Sequence, residues 1–150
     1  MNKRIAVLSD THGILRPKVL DIVKNCDAVI HAGDIGKQEI LDTLSLCGPI
    51  YAVRGNNDRE WAAHLKMVQE FRLFGLEFYV VHKKIHLPDY LPGKEIVVYG
   101  HSHKYEEERK EGKLYLNPGS CGPRRFQLPV TMAVLTVTDG NYQIEKVEIE

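Results

Sequence analysis

Five short apolar runs in this chain each end, within a few residues, in Asp, His or Asn, and that repetition constrains the fold more than any other feature. Ile5-Ala6-Val7-Leu8 leads into Asp10-Thr11-His12, and Ala28-Val29-Ile30 into His31-Ala32-Gly33-Asp34. Tyr51-Ala52-Val53 leads into Gly55-Asn56-Asn57-Asp58, Phe78-Tyr79-Val80-Val81 into His82, and Ile96-Val97-Val98-Tyr99 into Gly100-His101-Ser102-His103. If the runs are neighbouring strands, these groups converge at one edge of a sheet. Oxygen and imidazole donors converging with no thiolate among them point to a catalytic site with more than one divalent metal.

Between the first runs the pattern turns helical. Leu15, Val19, Ile22 and Val23 recur at helical spacing with Pro17 near the start, where its missing N–H costs little. Ile40, Leu41 and Leu44 form a second stripe, stopped by Gly48-Pro49. Strand-helix-strand alternation with fully apolar strands implies parallel strands covered on both faces, and in such sheets ligands bind at the strands' carboxyl ends. From residue 66 the pattern becomes hairpin-like: 71–74 with 76–81 around Gly75, 105–110 with 113–116 around Glu111-Gly112, and 130–137 followed by Asp139-Gly140-Asn141 and a closing strand. Two sheets with helices outside are expected, residues 1–150 forming one domain.

Composition narrows the function classes. Lys plus Arg and Asp plus Glu are each 20, so the basic excess that long nucleic acid would require is missing, while a small phosphorylated substrate is allowed. No apolar run approaches the roughly 18 residues of a membrane span, so no membrane partner is expected. Cys26, Cys47 and Cys121 are odd in number and widely spaced; they read as reduced residues of a cytoplasmic protein rather than a disulfide framework or zinc ribbon.

Each motif has a simpler reading. A lone Asp-x-His also marks a turn with a solvated His, and Gly-Asn-Asn-Asp a surface turn. Their coincidence, each after its own strand, favours a site. A carboxylate at the end of the second strand, Asp34, can bridge two ions held roughly 3.5 to 4 Å apart, and Asn56 offers a neutral carbonyl oxygen that leaves the site positively charged.

On Asp10-x-His12, Gly33-Asp34, Gly55-Asn56-x-Asp58, His82 and Gly100-His101-Ser102-His103, the chain resembles the calcineurin-like metallophosphoesterases over nearly its whole length. Asn117-Pro118-Gly119-Ser120 and the small size look like the compact prokaryotic phosphodiesterase branch, which also resembles the eukaryotic retromer subunit Vps29. The resemblance implies a four-layer α/β/β/α sandwich of two mixed sheets flanked by helices. It also implies two divalent ions (manganese, nickel, zinc, iron or magnesium), with Asp10, His12 and His103 on the first, Asn56, His82 and His101 on the second, and Asp34 between them. The activity implied is metal-dependent hydrolysis of small phosphate esters, a diester more than a monoester, by a metal-bridging hydroxide. The alternative is a Vps29-like interaction scaffold with little or no catalysis. A homo-oligomer is implied by the resemblance alone.

Beside the ligands, Asn57 and Asp58 are the candidate catalytic positions. Asp58 is expected to orient a neighbour. Asn57 stands where many members of the family have a His thought to protonate the leaving group; Asn cannot, a loss of typically about 10² to 10⁴ in rate, so esters with low-pKa leaving groups should react best. His86 is the nearest substitute acid. In Val81-His82-Lys83-Lys84, Lys84 replaces a common second His and either contacts phosphate or is a solvated loop lysine. Arg124 and Arg125 either grip substrate or serve the surface or a subunit contact. His31 either supports the site from behind or is a satisfied core histidine, and Glu106-Glu107-Glu108 is a solvated strand face.

Overall fold

The computed structural model describes residues 2–150. In chain order its elements are β1 (Asn2–Leu8), α1 (Pro17–Val23), β2 (Ala28–His31), α2 (Gln38–Ser45), β3 (Ile50–Ala52), β4 (Val68–Leu73), β5 (Leu76–Val81), β6 (Ile96–Val98), β7 (Glu106–Lys110), β8 (Lys113–Asn117), β9 (Thr131–Thr138) and β10 (Asn141–Glu148). The strands form two five-stranded mixed sheets, ordered β10-β9-β1-β2-β3 and β4-β5-β6-β8-β7. β1, β2 and β3 run parallel in the first, and β5, β6 and β8 in the second.

Period-two alternation in apolar strands builds the layers. Ile5 and Val7 of β1 join Phe78 and Val80 of β5 in the core between the sheets, while Ala6 and Leu8 face the helices. Burying each large side chain contributes about 1.5–3 kcal/mol. Neither short helix has a side-chain cap, so α1 and α2 owe their stability to Val19, Val23, Ile40, Leu41 and Leu44 packed on the first sheet. All three expected hairpins close with two left-handed residues, Phe74-Gly75, Glu111-Gly112 and Asp139-Gly140, the turn that matches strand twist. The charged edge strand β7, Glu-Glu-Glu-Arg-Lys, discourages edge-to-edge pairing.

The α/β sandwich expected from the sequence is the one observed, with one layer lighter than expected. The outer face of the second sheet is covered by the segment after β5, where Leu87 and Leu91 pack on Tyr79, Val81, Val97 and Tyr99. This cover contains a single 3-10 turn, Lys84–His86, in place of an α-helix. Pro88 and Pro92 supply no amide donors there, which prevents a longer helix. No helix among the described residues is long and apolar enough to cross a membrane.

Candidate metal centre

The site motifs leave the adjoining edges of both sheets, three from the first and two from the second, rather than one edge of a single sheet. Beyond β1 and β2 the two loops stay paired: Asp10 N–H donates to the Gly33 carbonyl at 2.9 Å, His12 N–H to Asp34 at 2.9 Å and Gly13 N–H to Ile35 at 2.8 Å. Five candidate ligands have left-handed backbone, with φ of 58° at Asp10, 46° at His12, 56° at Asp34, 75° at His101 and 66° at His103. Each costs on the order of 1 kcal/mol for an L side chain, a strain that surrounding contacts must over-determine.

Two groups of donors result. Asp10, His12 and His103 form one and Asp34, His82 and His101 the other, with the ligand atoms of each group within 4.8 Å of one another. Asn56 Oδ1 lies 3.1 Å from His101 Nδ1 and so joins the second group. Asp34 Oδ2 lies between the groups, 3.3 Å from His82 Nε2 and 3.7 Å from His12 Nε2. Asp10 Oδ1 is 3.5 Å from His103 Nε2, 3.6 Å from His12 Nε2 and 3.9 Å from His82 Nε2. His101 and His103 both reach the centre from the loop past β6, as expected for residues that have left the strand's alternation.

The donors fit divalent ions on two observations. Asp10 Oδ1 and His82 Nε2 are buried and have no hydrogen-bond partner, an expensive state for a polar atom unless a ligand completes it. His82 is also set in the right tautomer: its Nδ1 lies 2.7 Å from the Ala32 carbonyl, so Nδ1 carries the proton and Nε2 presents its lone pair to the centre. Burial pushes the Asp10 carboxyl upward, but the surrounding His103, His12 and His82 imidazoles and the Ser9 hydroxyl more than offset it and hold it well below the usual carboxylate range. At Asp34, burial is likewise overcome by His82 and the Asn57 amide, so its pKa is lowered.

The neighbours that Asp58 orients are backbone amides. It is buried and does not orient a histidine; Oδ2 accepts the amides of Gly55 and Ile35, and Oδ1 that of Gly36. It ties the Asn56 loop to the Asp34 loop. Asn57 N–H donates to Asp34 Oδ1 at 2.8 Å, and its side-chain amide to Oδ2 at 3.0 Å, so both groups clamp the central carboxylate. Asn117 holds the Gly100 carbonyl and Ser102 hydroxyl, and Ser120 the Asp10 carbonyl, which gives the Asn-Pro-Gly-Ser segment a buttressing role.

His31 supports the site from behind. Gly33 N–H donates to its Nδ1, and its Nε2 lies 3.0 Å from Thr11 Oγ1, whose own proton goes to the Ile35 carbonyl. The ring must therefore be neutral with its proton on Nε2. Burial pushes its pKa down from 6.5 to about 4, against the pull of Asp10 and Asp58. Because the folded value lies below the unfolded one, this stabilisation is fully present above pH 6.5 and is lost as pH falls toward about 4, a change worth about 3 kcal/mol. Urea unfolding of metal-free protein between pH 7.5 and 4.5 should therefore show a steeper loss of stability for wild type than for His31→Gln. Parallel slopes would assign the loss to other groups.

The substrate-contact candidates separate. Arg125 lines the cleft over His12, Asp34, Asn57 and His103. Arg124 instead donates to the Glu150 carbonyl. Lys84 lies over the Tyr99 ring and 3.9 Å from Glu106, on the outer face of the second sheet, which favours a loop lysine over a phosphate contact. Glu106 also accepts the Tyr99 hydroxyl, so it is more than a solvated face residue. The sequence reading missed Arg54, Lys83 and Phe126. Arg54 and Lys83 line a cavity with Asn56 and His82, and Phe126 sits edge-on to His103. Their only signal was adjacency to the motifs.

Residues 4–140 match the family model of the calcineurin-like phosphoesterase superfamily domain. The chain is 34% identical over 150 residues to a probable metallophosphoesterase of Methanocaldococcus jannaschii, covering 90% of this chain and 76% of that one. An archaeal phosphodiesterase structure is similar with a TM-score of 0.77 at 25% identity, over 96% of this chain and 99% of that one. Vps29 from Chaetomium thermophilum shares the fold with a TM-score of 0.78 at 17% identity, over 97% of each chain. With its two donor groups in place and its sequence matched almost end to end, the chain belongs to the calcineurin-like phosphoesterase superfamily.

Proposed function

We propose that this protein is a phosphodiesterase that hydrolyses small phosphate diesters at a centre of two divalent ions. Asp10, His12 and His103 would hold one ion and Asn56, His82 and His101 the other, with Asp34 between them. Bound there, the ions supply Lewis acidity toward phosphate oxygens and a water of lowered pKa. The observation that carries the reading is the joined pair of donor groups with a cavity on either side, about 280 Å³ beside Asn56 and His82 and about 330 Å³ over His12 and His103. A phosphorus atom with two ester arms fits a centre open on two sides.

The chain's own residues position the chemistry. Asn57 and Asp58 hold the Asp34 carboxylate and its loop, and Arg125 adds positive charge where the phosphoryl oxygens gain negative charge. Asn57 has no proton to give a leaving group, so low-pKa leaving groups should react fastest. The interaction-scaffold alternative is not favoured, since all seven ligand positions keep metal-competent donors and converge. Three free thiols fit the reducing environment of a cytoplasmic enzyme acting on a small phosphorylated substrate.

Metal-stripped protein should hydrolyse bis-p-nitrophenyl phosphate only after a divalent ion such as manganese is restored, and faster than the monoester. Folded protein that stays inactive with every divalent ion would sink the proposal.

A further inference from the structure

The cavity beside Asn56 and His82 has a chemistry of its own. Its floor is Met67, Val68 and Val81, and its rim carries Arg54, Lys83 and His86. Met67 leaves 55% of its surface exposed and lines this cavity, so its thioether is open to an occupant. Arg54 is held rigidly: its Nε donates to the Asp58 carbonyl at 3.2 Å and a terminal nitrogen to the Arg59 carbonyl at 3.4 Å. Both of these acceptors are neutral, so the guanidinium keeps its charge at the cavity rim.

A polyhydroxylated arm would leave its hydroxyls unpaired against this floor. An alkyl arm would gain burial but no use of Arg54. A flat aromatic ring uses every part: thioether sulfur favours contact with rings, and a fixed guanidinium plane stacks on their faces. About 280 Å³ suits one ring system at the small end of ligand pockets. Because metal-site residues form one wall, the occupant must be joined to the phosphorus held at the centre. We propose that this cavity is the subsite for an aromatic arm of the phosphodiester, with Met67 and Arg54 setting the preference; this rests on the phosphodiesterase reading above.

Phenylphosphonate and methylphosphonate each present one arm, and zinc-loaded protein, which is diamagnetic, allows both binding and spectroscopy. Phenylphosphonate should inhibit diester hydrolysis at least about tenfold more tightly than methylphosphonate. It should also move the Met67 methyl resonance upfield by ring current, leaving that of buried Met132 in place. Met67→Ala should bring the two inhibition constants together by weakening the phenyl compound. Equal inhibition by the two compounds and an unmoved Met67 methyl, in protein that hydrolyses diesters, would overturn the aromatic subsite alone. Loss of all diester hydrolysis and of phosphonate binding in folded, metal-loaded protein would overturn both readings.

Discussion

Asp34→Asn should lower diester hydrolysis by about 10³-fold or more while leaving the fold intact. Asp34 Oδ2 lies between the two donor groups, and no other carboxylate stands beside His82 at so short a distance. Asn is nearly isosteric but brings a neutral oxygen and an NH₂ that cannot face a cation. Metal charge stabilisation in a transition state is worth several kcal/mol, and each 1.4 kcal/mol is tenfold in rate. Binding gives a separate readout. An ion at about 100 times its Kd stabilises wild type by about 2.7 kcal/mol, a rise of roughly 5–11 °C in Tm for a chain of this length. The variant should lose most of that rise. A variant that keeps both the thermal shift and the rate would remove Asp34 from the centre.

Gly55→Ala is the second large effect, and its cause is steric. A Cβ there would overlap the Asp34 amide nitrogen and Oδ1 and come within 2.8 Å of the Asp34 Cα. Most of the obstruction is backbone, so side-chain rotation cannot relieve it. The Gly55 amide is also one of the three donors to Asp58, so the loop cannot retreat without breaking that clamp. Overpacking of this kind costs about 1–3 kcal/mol. The activity cost should be greater: a displacement near 1 Å of positioned groups can cost about 10²-fold. Thermal melts and diester kinetics on one preparation should show a modest drop in Tm beside a disproportionate drop in kcat. Unchanged kinetics would mean that the two loops are not rigidly tied.

Much of the site was legible before any fold was known. Seven donors follow apolar runs in a fixed order, and strand and helix periodicities place them at strand ends. Arg54 and Lys83 were not legible, because a cation beside a motif has no periodic signature, and their place at a cavity rim depends on how β3, β4 and β5 meet. Lys84 shows the converse: two residues from His82, it turns to the outer face of the sheet, against Tyr99 and Glu106.

Local chemistry therefore determined the strands, the three left-handed hairpin turns, and the presence of oxygen and imidazole donors without thiolate. Side-chain pattern acts over a few residues, so it reaches no further. The tertiary structure alone decided that the donors come from two facing sheets, that Asp58 spends its carboxylate on three backbone amides, and that five candidate ligands sit in left-handed backbone. Those outcomes run against local preference and persist only because contacts between distant loops outweigh it.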